Sequence, residues 1–339
     1  MEYTPRLIIF KKSLENLLKK YKNIGKIYYP IKTNSARELV QIISTNDCGF
    51  SVNCPYYLHF LVDECQIAAD TILYDNCAAT AQELEEVKKK GVKFFVIDSY
   101  ESYDILKNWK DTSFLIRFAS GTKGNEKYGT SSPTLIEHAS THPNFAGISF
   151  YIPSSSFSFI SFKSMMDSIL NLGLKLDYVD IGGGLDGLLD NADYRNLIEE
   201  YRKKQLFLEL ILEPGRNLIN PCSKIEATVI QKRTVNDEKW IHLDVGIYSG
   251  LIDIYIENKE LRIVGNGQKV IPYKVSGSTT DSADFLGTHL LPENQKIGSK
   301  VNIQNCGAYV VDMCARYSGA KQIIVKIDER DIMDADMDF

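Results

Sequence analysis

Apolar positions along this chain follow two rhythms that alternate. Short β-branched and aromatic runs predict strands, and longer stretches with apolar residues three or four apart predict the helices between them. The strand-like runs lie at 7–10, 27–29, 49–52, 71–74, 94–97, 114–118, 147–151, 178–181 and 208–212. Helical stretches are expected at 39–43, 55–64, 81–90 (stopped by Gly91), 102–109 and 162–172. Ser13 is placed to cap a helix through Leu14, Leu17 and Leu18, whose basic end (Lys19, Lys20, Lys22) suits the helix dipole. Asn34 or Ser35 is placed to cap the stretch that begins at Ala36.

About eight short strands spaced by helices up to Glu213 is the rhythm of a (β/α)8 barrel, although a doubly wound open sheet produces the same local pattern. After Pro214 the texture changes. Runs at 224–231, 240–245, 252–256, 261–264, 269–275, 300–303 and 322–327 are β-like, with turns such as Gly265-Asn266-Gly267 between them. They predict a C-terminal, mostly antiparallel β domain. The tail from Asp328 carries six acids and is expected to fray.

Composition narrows the function. Hydrophobic residues make up 44% of 339, enough for a substantial core. A formal net charge of −5 argues against holding nucleic acid by counterion release. Seven scattered cysteines without a CxxC pair point to a reducing compartment, with neither a disulfide frame nor a metal site. There is no basic leader with a long apolar run behind it, and no apolar stretch of about 18 residues. The expectation is a soluble, cytoplasmic protein with no membrane partner.

Four stretches carry chemistry. In Tyr28-Tyr29-Pro30-Ile31-Lys32-Thr33-Asn34-Ser35 a lysine follows a strand, where a parallel barrel presents its reactive groups. An amine held in an apolar wall can form a Schiff base, although most lysines after strands are solvated. Asp180-Ile181-Gly182-Gly183-Gly184-Leu185 lets main-chain N–H groups approach a phosphate, and a tight turn uses glycines for the same freedom. Glu213-Pro214-Gly215-Arg216 places a carboxylate and a guanidinium three residues apart, either to hold two ends of a flat ionic cofactor or as a structural ion pair. Cys306-Gly307-Ala308-Tyr309 offers a hydroxyl to a phosphate, or a core tyrosine.

In this order the four motifs, YxxKxN, DIGGG, EPGR and GAY, resemble those of the fold type III pyridoxal-phosphate-dependent amino-acid decarboxylases of the ornithine, arginine and diaminopimelate group. The resemblance runs from Thr4-Pro5 to about Ala320. It implies a barrel of the alanine-racemase type over 20–222 that binds pyridoxal 5'-phosphate. It also implies a β domain, 1–19 with 223–339, that completes the active site, and a homodimer with sites at its interface. By the same resemblance Lys32 is the Schiff-base lysine, and Glu213 partners the pyridine nitrogen. Gly182, Gly183, Gly184, Ser154, Arg216 and Tyr309 cradle the phosphate, and Arg117 belongs to the active-site wall.

Departures from the family pattern bear on the substrate. Thr280 stands where the family has a proton-donating cysteine, and an alcohol is a far weaker acid than a thiol. Tyr151 stands where a histidine stacks on the ring, and an aromatic can still stack. Ser51 replaces a common aspartate. Asp281 and Glu257 match or fall near carboxylates that meet a distal ammonium. Tyr317 is assigned to the substrate as well, and its stretch Arg316-Tyr317-Ser318-Gly319 lacks the arginine pair that favours diaminopimelate. The reading is α-decarboxylation of a diamino acid (ornithine- or lysine-like) or of an amino-acid moiety on a larger intermediate. An amino-acid racemase on the same barrel and a non-catalytic relative that binds a partner are the rival readings.

Overall fold

The computed structural model describes residues 4–121, 127–257 and 260–335. The chain divides into two compact units. One takes residues 18–31 and 43–217, the other 1–17, 32–42 and 218–339.

Strand β1 (Arg6–Phe10) belongs to the second unit. The next eight strands build the first. They are β2 (Lys26–Pro30), β3 (Gly49–Val52), β4 (Ile72–Asp75), β5 (Phe94–Ile97), β6 (Ser113–Arg117), β7 (Phe145–Ser149), β8 (Leu176–Asp180) and β9 (Phe207–Leu212). They close in chain order into a parallel barrel, β9 returning to β2 through Ile27↔Leu212. Closure excludes the open doubly wound sheet. All four residues of β3 are buried, as are Ile72, Leu73 and Tyr74, because a parallel barrel covers both faces of each strand. Tyr28, Leu73, Val96, Leu115, Ala146 and Ile211 pack together in its core.

Helices between the strands are bounded by local signals, of which only Gly91 is expected from the sequence. Thr80 caps Ala81–Lys89 by accepting from Glu83 N, and Gly91 follows its end. Ser99 caps Tyr100–Leu106, two residues before the expected start. The stretch expected to be one helix over 55–64 is helix Pro55–His59 running into a π-type turn, Phe60–Glu64. Helices Pro133–Ser140 and Ala192–Lys203 had not been placed from the pattern.

In the second unit β1 pairs antiparallel with β10 (Ser223–Val235). The sheet continues through β11 (Glu238–Leu243), β12 (Arg262–Gly265), β13 (Val270–Ser276), β14 (Phe285–Pro292), β15 (Lys300–Gln304) and β16 (Ile324–Asp328). Most pairings are antiparallel; β1–β16 and β11–β13 are parallel. Three expectations are corrected here. Residues 252–256 form a short helix, Ile252–Ile256, not a strand. The first helix runs Lys11–Lys22, so Ser13 lies inside it, and its Oγ accepts from Ile332 N at 2.9 Å. The tail is not frayed from Asp328: Asp328 ends β16, and Ile332–Ala335 is helical with Ile332 against Ile8 and Phe10. Its last four residues lie outside the described ones.

Candidate active site

Parallel barrels gather chemistry at the C-terminal ends of their strands, and this one carries charge there. Asp75 ends β4 and Arg117 ends β6. Arg117 Nη1 lies 3.3 Å from Asp75 Oδ1, with both side chains largely buried. The guanidinium also faces the rings of Tyr128 and Tyr151, at 5.5 and 6.0 Å from their centroids. Asp180 ends β8 and is fully buried. Its Oδ2 accepts from Ser149 Oγ at 2.8 Å, and its Oδ1 from Gly182 N at 2.9 Å. Its carboxyl also interacts with that of Glu213, a second buried acid. Burial raises Asp180 to about 6, against the pull of Gly182 N and with a push from Asp75.

The glycine turn is wedged among backbone. Gly182 and Gly184 have φ of +64° and +70°. A Cβ on Gly184 would stand 2.5 Å from Ile152 O and 3.2 Å from Ser154 N, and one on Gly183 3.0 Å from Glu213 O. Glu213 N donates to Gly182 O at 2.9 Å. The turn therefore lies against two other segments, 150–154 and 213, mostly against carbonyl oxygens. The Ser154 N–H, together with the glycines' freedom to turn their own N–H groups outward, supplies what an anion needs. The residues present thus fit a phosphate. Arg216 is half-buried and opens the short helix Arg216–Ile219.

In the second unit the turn Ile31–Thr33, which follows β2 in the chain, carries Lys32. Lys32 is exposed between buried Ile31 and Thr33. Asn34 Nδ2 donates to Gly307 O at 2.8 Å, Tyr309 N donates to Thr33 O, and Ser35 N donates to Asp312 Oδ2 at 2.9 Å. Asn34 Oδ1 accepts from Ala36 N, and the helix begins at Arg37. Tyr309 is half-buried with φ +64°, a conformation uncommon outside glycine that tends to cluster at functional positions.

Asp281 Oδ2 accepts from Tyr317 Oη at 3.1 Å and takes a second bond from Tyr248, whose ring lies 4.6 Å from that of Tyr317. Asp281 is held below the usual carboxylate range by Ala283 N first and these hydroxyls next. Thr280 is exposed and its Oγ1 is 3.5 Å from Ser318 Oγ. Glu257 follows the helix Ile252–Ile256, where its N–H donates to Asp253 O. Sequence reasoning missed Asp75, Asp180 and Tyr248 as site groups. Asp180 was visible inside DIGGG, whereas an acid ending a strand gave no signal at Asp75.

The family model for the pyridoxal-dependent decarboxylases, pyridoxal binding domain, matches residues 9–220. The chain belongs to this family. Its cofactor is accordingly pyridoxal phosphate. The chain is 23% identical to an ornithine decarboxylase of Schizosaccharomyces pombe, covering 91% of this chain and 78% of that one. It is 24% identical to a lysine/ornithine decarboxylase of Selenomonas ruminantium, covering 86% and 81%. The arginine decarboxylase of Paramecium bursaria Chlorella virus, solved with agmatine, superimposes with a TM-score of 0.85 at 19% identity over 97% of this chain and 98% of that one. Like other pyridoxal-dependent decarboxylases, the chain joins a barrel to a β-rich unit. No helix among its described residues is long and apolar enough to cross a membrane.

Proposed function

We propose that this decarboxylase removes the α-carboxylate of a basic amino acid, giving an amine and carbon dioxide. The observation that carries the reading is the glycine turn 182–184, wedged against the 150–154 backbone and Glu213 inside the segment that matches the pyridoxal-binding family model. When bound, pyridoxal phosphate supplies a sink for the electron pair left as carbon dioxide departs. Lys32 is its covalent anchor. Gly183 and Gly184 would present main-chain donors to the phosphate, with Gly182 shaping the turn while its own N–H is held by Asp180 Oδ1. Ser154, Arg216 and the Tyr309 hydroxyl would help. Glu213 would hold the proton of the ring nitrogen, with buried Asp180 interacting with its carboxyl. Tyr151 covers a ring face and Arg117 walls the site.

The substrate's distal end falls to Asp281, Glu257 and Tyr317. Asp281 is held ionised, which suits a distal ammonium. Thr280 is a poor acid, so the proton that completes the product comes from Lys32, Tyr151 or water. A homodimer that shares its sites belongs to the same proposal.

The experiment is direct. Protein loaded with pyridoxal phosphate is incubated with ornithine, lysine, arginine and diaminopimelate, and carbon dioxide is measured. Release from a basic substrate, abolished in Lys32→Ala together with the visible band of the lysine-bound cofactor, is the expected result. No band in the wild type, or a band with no carbon dioxide from any substrate, would overturn the reading.

A further inference from the structure

Arg117 lies in the field of more than one carboxylate. Asp75, Glu213 and Asp180 all act on it, with the Cys77 thiol beside them. Cys77 itself is pushed up by burial and by Asp75 and Asp98, and Asp98 is tied to Gly129 N at 2.7 Å. In a buried site a guanidinium pairs with whichever acid its fork can reach, because unpaired buried charge is costly. Here it meets Asp75, on the strand end two positions round the barrel, with Tyr128 and Tyr151 against its plane.

That geometry has a consequence for Glu213. If Arg117 paired with Glu213, the positive charge would hold that carboxylate ionised and lower its affinity for a proton. Glu213 would then grip the ring nitrogen's proton less firmly. We infer that Asp75 is a positioning residue, which holds the Arg117 guanidinium on its own side of the barrel mouth and so leaves Glu213 for the cofactor ring. The inference rests on the proposed role of Glu213. It concerns a residue on β4 that none of the four sequence motifs contains.

The test is a double-mutant cycle on the cofactor-loaded protein. Asp75→Asn removes the charge and keeps the shape. It is expected to lower kcat about tenfold or more while KM changes less than about threefold, the pattern of a lost transition-state interaction. Without substrate, the pH at which the visible cofactor band titrates is expected to move, and Asp75→Glu to restore it in part. In an Arg117→Met background Asp75→Asn should add nothing, since the two act as one unit. If Asp75→Asn does not fold, as judged by melting of the cofactor-free protein, Asp75→Ser takes its place in the cycle. Additive effects of the two substitutions, or an Asp75→Asn enzyme with unchanged kcat and band, would overturn the inference. A wild type without a visible band would instead sink the proposed function, so the two failures are told apart.

Discussion

At the scale of single residues, Gly184 has no room for one more carbon. A Cβ there would meet Ile152 O at 2.5 Å on a backbone at φ +70°. Gly184→Ala is expected to cost about 1–3 kcal/mol in thermal or urea unfolding and to weaken pyridoxal phosphate binding, read by titration of the visible band. Asp180 gives a pH signature. Its folded value of about 6 lies above the roughly 3.9 of an unfolded aspartate. Between the two the folded chain holds a proton that the unfolded chain has released, so this group's contribution to stability falls as pH rises from about 4 to about 6. Urea melts across that range should show wild type losing stability relative to Asp180→Asn, and parallel curves would refute the assignment. The chain's order decides which of these residues could be read in advance. Lys32, the glycines, Glu213 and Arg216 announce themselves because each sits in a contiguous motif. Arg117 was legible only through the resemblance, and its pairing with Asp75, 42 positions away, exists only once the barrel closes.

At the scale of elements, pattern succeeded where burial is uniform and failed where it is not. The barrel strands are apolar on both faces and stand out as short dense runs. Ile252–Ile256 has the same dense look, yet it is a helix with only Asp253 buried and with Tyr255 and Ile256 exposed. β14 escaped notice because Gly287, His289 and Pro292 interrupt its alternation, although seven register pairs hold it to β13. The N-terminal helix shows a different limit. Ser13 resembles a cap, but its hydroxyl serves Ile332 from 319 positions away. Ser13→Ala should leave the barrel's melting unchanged and speed amide hydrogen exchange at Ile332 and its neighbours, for a loss of about 1 kcal/mol in the local closing of the C-terminal helix. Unaltered exchange there would show that the helix is held by Ile332 packing on Ile8 and Phe10 alone.

At the scale of the whole molecule, fold class was legible because nine strand-like runs and their helices precede a clear change of texture at Pro214. The placement of β1 with the second unit was legible only through the resemblance, which gives 1–19 to the β domain, since a single apolar run says nothing of its partner. If the proposed homodimer shares its sites, specific activity should fall on dilution in step with dissociation measured by sedimentation. Constant activity through dissociation would place a whole site in each chain. One further consequence concerns synthesis. The turn bearing Lys32 is fastened by Asn34 to Gly307, 273 positions on, and by its neighbours to Tyr309 and Asp312. A ribosome therefore delivers Lys32 long before it delivers the segment that fixes its turn. A nascent chain halted short of position 307 carries every barrel strand but lacks the partner of Asn34, so on the proposed role of Lys32 a firm hold on the vitamin waits for that later segment.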